Sequence, residues 1–447
     1  MATTVKLAYF KQKQAGLLLR TEWQQGNCKP LNNPQARVQM DKLPTPMPGW
    51  KPPEPPKVEK PKPARDEKQE TLKPAPDKKK GKPPAPPPKP DDKSKNPQAE
   101  EDCRTPPPFD MLDLPGAMEK MGFYVAAKVA RRWFNGRAHI LGKRTDPYPS
   151  DMVDTTTVSL GFTLKYGKSK EKYDKLISED IYTDNAKAAL TATIQRFIEN
   201  KFLNEGKVFT GEIDTLALSG GDMQKLHSSY QFQLATVNNL DTLDDKFGMT
   251  DLTATLGNFF FMAAIANAKV YTEQYYRYDQ GDPVYCCQSK VDITHIHVYA
   301  RDSYSFADKP GKTSSQYLGH WNRYGVILVP SATAADVLNN VTGSKGTDLQ
   351  WGDSADTPGI TPYVYENGFK KPVDIIKGFF RTLRKQDVYY PIHNSDYSAW
   401  RRKFNRGGDF AIYTEPKKIK LPKPIQFTLE EICRPAKQAE SKRSPGK

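Results

Sequence analysis

Residues 51–100 hold 15 Pro, 14 Lys or Arg and 9 Asp or Glu, and no aromatic residue. A segment so composed has too little apolar area to offset the entropy of ordering it, so it cannot add to a core. Lys-Pro alternation favours extended, polyproline-like backbone, and residues 43–108 therefore read as a disordered, semi-rigid Pro/Lys-rich linker. Ahead of it, residues 1–42 carry Leu7, Tyr9, Phe10, Leu17–Leu19 and Trp23 but are too short to fold alone, and read as a docking segment. Residues 109–415 are long enough for a globular domain. Residues 416–447 read as a basic flexible tail.

The net charge of +15 is not spread over the chain. Residues 51–100 contribute +5, residues 414–447 another +5 and residues 370–406 +7, which leaves the remainder at −2. A general basic surface for nucleic acid is therefore not expected. The patch at 370–406 interleaves Arg401, Arg402, Lys403 and Arg406 with Tyr397 and Trp400. It keeps a single-stranded nucleic acid or an anionic surface open as an alternative partner. The longest apolar run, Phe259–Ala266, is far below the ~20 residues of a membrane helix. No signal-peptide core is seen, so synthesis in the cytosol is expected, with any export independent of a signal peptide. Five cysteines without a CxxC pair exclude a disulfide-dense scaffold, and Cys286-Cys287 reads as reduced.

Hydrophobic spacing within the body predicts a helix over 115–134, a strand over 158–164, a helix over 185–202 capped by Asn185, and a strand over 230–237. Two long strands follow between 259 and 306, around a turn at 280–283. The sheet continues through 317–330, a helix covers 372–385, and 410–413 forms a last strand. Helices and strands without βαβ alternation make the fold α+β, with helices packed on a largely antiparallel sheet.

The densest polar-aromatic cluster is His295–Phe306 with Gln316–Arg323. On a strand His295, His297 and Tyr299 share one face, and Ile296, Val298 and Ala300 the other. Asp302 and Tyr304 fall at the strand end. Three readings stand. Asp302 caps a turn while Tyr304 and Phe306 fill the core edge. Or Asp302 or Asp308 works with His320 as general base to activate water, Tyr304 orienting the substrate and Arg323 holding an anionic group. Or His295, His297 and a third ligand, His320 or Asp302, hold a metal. No cofactor is assigned.

Phe109-Asp-Met-Leu-Asp-Leu-Pro115, Gly116–Gly122, Val125–Phe134, Asp154-Thr-Thr-Thr-Val158, Val298–Phe306 and Tyr317–Asn322 together resemble an uncharacterised proteobacterial family of unknown function, DUF6402-like. That resemblance implies a whole domain and a setting near type VI secretion or antibacterial toxin loci. Asp302, Tyr304 and His320 are also similar to the Asp-x-Tyr-Asp and His-Arg signature of colicin M-type toxins, which cleave a lipid-linked peptidoglycan precursor. Ser305 stands where the second Asp would be, and Trp321 and Asn322 separate His320 from Arg323. The expected function is a secretion-associated antibacterial effector that hydrolyses an envelope substrate, with residues 1–42 docking to the secretion apparatus or a cognate immunity protein. A non-enzymatic adaptor and a nucleic-acid binder are the alternatives.

Overall fold

The computed structural model describes residues 6–15, 20–27, 38–47, 109–142, 147–243, 249–278, 281, 283–308, 315–323, 325–327, 363–366, 369–372 and 388–436. The strands are β1 (Lys6–Ala15), β2 (Arg20–Asn27), β3 (Val153–Asp154), β4 (Gly211–Asp214), β5 (Gln231–Val237), β6 (Phe259–Arg277), β7 (Val284–Tyr304), β8 (Tyr317–Asn322), β9 (Gly325–Ile327), β10 (Tyr363–Glu366), β11 (Phe369–Pro372), β12 (Val388–His393), β13 (Phe410–Tyr413), β14 (Lys417–Thr428) and β15 (Ile432–Pro435). The main helices are α1 (Leu114–Lys120), α2 (Tyr124–Asn135), α3 (Gly167–Ser178), α4 (Asp184–Glu199), α5 (Met223–Tyr230), α6 (Asp251–Thr255) and α7 (Asn394–Phe404). The fold is α+β with a largely antiparallel sheet.

The hairpin β6–β7 is the axis, as the aromatic and β-branched run around 280–283 predicts. β13, β14 and β15 pair in turn along the outer edge of β7, and β5 and β4 along that of β6. Ile296, Val298 and Ala300 join the main core, while Tyr299 packs on the opposite face with Met223, Leu226 and Tyr413. That split follows the alternation read from the sequence. A second sheet, ordered β2-β1-β12-β8-β9, carries the chain beyond the hairpin. β8 thus joins this sheet and does not continue the first.

Several expectations are corrected. The single helix over 115–134 is two, because Gly122 at φ +80° closes α1 with a bond from the Phe123 N–H to the Met118 carbonyl. The strand over 158–164 is absent. Asp154 Oδ1 accepts from the Thr156 and Thr157 N–H groups, and Ser159 then caps a short helix, Leu160–Thr163. Thr183, not Asn185, caps α4. Residues 417–435 are no flexible tail, since β14 and β15 complete the sheet on β7. Cys286 is not reduced: it is bonded to Cys433 across β7 and β15, while Cys287 is a buried free thiol that burial pushes up to about 11. The helix over 372–385 lies outside the described residues.

The segment before the linker is bound to the body. β1 pairs with β12. The Gln39 N–H donates to the Phe109 carbonyl at 2.7 Å, and the Met111 N–H to the Gln39 carbonyl at 2.9 Å. Asp110 Oδ2 accepts from the Asp41 and Lys42 N–H groups at 2.7 and 3.0 Å. Lys403 Nζ reaches the Met40 carbonyl at 2.6 Å, and the Arg406 guanidinium reaches that of Thr45 at 2.8 Å. Residues 38–47 therefore form a strap fastened beside residue 109, so the linker leaves and re-enters the body at neighbouring points. It is not a tether holding residues 1–42 at a distance.

Candidate active site

β6 begins at Phe259, and Phe260 is opposite Arg301. Past that point β7 pairs only with β13, Ile412 opposite Asp302 and Phe410 opposite Tyr304. On the β6 side the chain has turned away at Gly257, whose φ of +61° favours glycine. The sheet opens there into a cleft of about 270 Å³. Its lining includes Asp302, Tyr304, Asn258, Gln316, Trp321 and Asn394. The strand parity that sends Ile296, Val298 and Ala300 into the core sends Asp302 and Tyr304 to the same side, where the core gives way to the cleft.

Asp302 is half-buried. Burial raises its carboxyl to about 7, against smaller opposing contributions from the Ser303 N–H and the Arg301 charge. Tyr304 is buried and held neutral, chiefly by burial, with Tyr397, Asp302 and Asp409 pushing in the same direction. Its ring stacks on Phe410 at 5.3 Å and meets Phe306 edge-on at 5.0 Å.

The supports of the cleft are polar. Asp409 is fully buried and accepts from Trp133 Nε1 at 2.8 Å, from Ser305 Oγ at 2.7 Å and from the Arg401 guanidinium. Trp133 in turn packs against Phe306 and Tyr397 with ring centroids 5.4 and 5.0 Å apart. Arg406, buried at the end of α2, donates to the Gly136 and Asn135 carbonyls at 3.2 and 2.8 Å, where a cation complements the helix dipole. Two cations of the basic patch are thus committed to the interior. This removes Arg401 and Arg406 from a nucleic-acid surface.

The site residues named from sequence are not all brought together. Asp302 and Tyr304 line the cleft. Asp308 is exposed, and its Oδ1 accepts the Gln316 N–H at 3.2 Å, which fixes one rim residue. Gln316 accepts the Asn394 N–H at 3.0 Å through its own carbonyl. Arg323 lies in a different depression, with Asp113, Lys120 and Arg131. His320 sits on β8 opposite Pro391 and Ile327, and its side chain falls outside the described residues. Ser305, at the place of the second Asp of the toxin-like signature, donates to Asp409. His295 and His297 are on the face of β7 opposite Asp302, near Lys418 and Asp214, so a metal set joining them to Asp302 is excluded. Among the described residues the grouping with metal-ligand spacing is Cys286, Glu431 and Cys433, whose two sulfurs are consumed by their bond. Asn258, Asn394 and Asp409 were not singled out from sequence; the role of each depends on contacts remote in the chain.

Sheet and cleft define an α+β domain with a half-buried carboxyl at the open end of its central hairpin. Residues 109–429 match the family of unknown function DUF6402, and the chain belongs to that family. No curated protein and no solved structure matches it.

Proposed function

We propose that this protein is a hydrolase, exported through a secretion-associated route as an antibacterial effector on an envelope substrate, with Asp302 as its general acid–base. The observation that carries the reading is the position of Asp302 in the cleft with its carboxyl poised near neutrality, where one group both gives and takes a proton. In the step proposed, the Asp302 carboxylate takes a proton from the attacking water, whose hydroxide adds to the electrophilic centre. The protonated Asp302 then hands that proton to the leaving atom as the bond to it breaks. Water is consumed and the carboxylate is restored. Asn258, Gln316 and Asn394 offer amides to hold the substrate. The Cys286–Cys433 bond supports a working place outside the reducing cytosol.

The test is growth of a Gram-negative host carrying wild type or Asp302→Asn in the cytoplasm or the periplasm. Killing by wild type alone, in the periplasm, is expected. Equal toxicity of Asp302→Asn, or no growth defect with folded protein in either place, sinks the reading. A second reading, a non-enzymatic adaptor, draws on the exposed Tyr271, Tyr275, Tyr276 and Tyr278 at the far end of the β6–β7 hairpin. It predicts a stable partner lost on replacing these tyrosines by serine.

A further inference from the structure

The aromatic wall of the cleft is not used by acid–base chemistry. Tyr304, Phe306, Tyr317, Trp321 and Tyr397 all line it. The other polar groups of the lining are amides and hydroxyls, and among the described lining residues Asp302 is the only Asp, Glu, Lys, Arg or His. An anionic group entering here meets one negative charge and no described cation. A neutral group leaves the carboxyl, whenever it ionises, with only the Ser303 N–H and the Arg301 charge to offset its burial. A cation satisfies both features, since the carboxylate attracts an ammonium head, most strongly where water is excluded, and apolar ring surface packs the carbon chain behind it; the faces of Tyr304, Phe306 and Tyr397 are stacked on Phe410 and on each other, so the carboxylate carries the recognition of charge.

We propose that the cleft receives the ammonium group of an amine-bearing substrate, with Asp302 as its counter-ion and the aromatic side chains as its apolar seat. The proposal rests on the reading of Asp302 as the reactive carboxyl and names the substrate class for it. A volume of about 270 Å³ is at the low end of ligand sites, so the cleft takes a head group of side-chain size rather than a whole extended substrate. A lipid-linked precursor held through an anionic group, as the toxin-like signature would suggest, is disfavoured: Arg323, the cation expected to hold such a group, lines another depression. Binding carries a proton signature. Below about pH 7 the empty cleft holds a protonated Asp302, and a bound ammonium expels that proton. Above it the carboxylate is already formed, so affinity rises with pH through this window and then levels off.

The probe is n-butylammonium, with 1-butanol and butyrate as neutral and anionic comparators. Each is titrated calorimetrically into the full-length protein in two buffers of different ionisation heat, at about pH 6 and about pH 8.5. The ammonium is expected to bind at least roughly tenfold tighter than the alcohol, to release a proton only at the lower pH, and to lose its advantage in folded Asp302→Asn. The proposal is overturned if butanol or butyrate binds as well, if no probe binds, or if Asp302→Asn keeps the preference. An NMR titration of the Asp302 carboxyl in the unliganded protein separates the two readings. A midpoint near 7 upholds the acid–base role even if the amine class fails, and an ordinary carboxylate midpoint removes that role whatever binds.

Discussion

Replacing Asp302 by Asn should make the protein more stable at alkaline pH while abolishing the hydrolysis proposed for it. The folded carboxyl titrates at about 7, whereas an unfolded Asp titrates at about 3.9. Between those values the folded state holds a proton that the unfolded state has lost, so wild-type stability falls as pH rises from about 4 to about 7 and is flat above. About three pH units at ~1.4 kcal/mol each give a cost of up to roughly 4 kcal/mol, fully present at pH 8 and absent near pH 4. Asn has the shape of the protonated acid and no charge to bury, so it removes this cost. Urea titrations of wild type and Asp302→Asn at about pH 4.5 and about pH 8 measure it. The two proteins should nearly coincide in acid and separate in base, with the variant the more stable. A variant that is equal to or weaker than wild type at pH 8 would refute the claim that a half-buried, poised carboxyl stands in the cleft. Such an outcome would also take the acid–base role with it.

Three further outcomes follow from the packing. The Cys286–Cys433 bond closes a loop between residues 147 apart, for which chain entropy gives about 5 kcal/mol. For a folded body of roughly 320 residues this is a fall of about 7 °C in melting temperature on reduction or in a Cys286→Ser/Cys433→Ser protein, read by scanning calorimetry. Asp409→Asn leaves the Arg401 guanidinium buried without its carboxylate. It should cost about 3–5 kcal/mol in urea unfolding, with Arg401→Met/Asp409→Asn recovering part of the loss. Trypsin should cut within the Lys-rich residues 51–100, yet residues 6–47 should co-elute with the body on size exclusion. Asp110→Ala, which removes the acceptor of the Asp41 and Lys42 N–H groups, should release that fragment after cutting.

How far the fold was legible depended on whether its signal was local. The β6–β7 hairpin was readable because aromatic and β-branched residues run for some twenty positions on each side of a turn. So was the division of faces that puts Val298 in the core and Tyr299 on the other side. Val158–Leu164 also alternates, but Asp154 and Ser159 offer side-chain acceptors to the following N–H groups, and this local competition wins over the pattern. β14 was hidden by its composition. Its lysines and Pro422 and Pro424 read as a tail, although Leu421 and Ile425 are buried, and the register slips between Lys420 and Ile425, where the prolines lack ladder donors. The pairing of Cys286 with Cys433 and the strap's grip on Asp110 join residues 147 and about 70 apart, and no spacing rule reaches them.

The candidate site divides along the same line. Asp302 and Tyr304 could be placed because strand parity and the turn signals after Ser305 locate them at the end of a core-facing strand. What makes Asp302 unusual is that its strand's pairing with β6 ends one residue short of it, which only the register of Phe260 against Arg301 reveals. His320 and Arg323 were grouped with Asp302 on the assumption that β7 and β8 form a hairpin. β8 instead pairs with β12 and β9; its Tyr317, Leu318 and Trp321 still line the cleft of Asp302, while Arg323 lies in another depression. The cation needed for an anionic substrate is therefore displaced from the acid. Among the described residues, the lining beside Asp302 is aromatic, aliphatic, amide and hydroxyl, and the proposed amine-bearing substrate rests on that combination as a phosphate would have rested on the other.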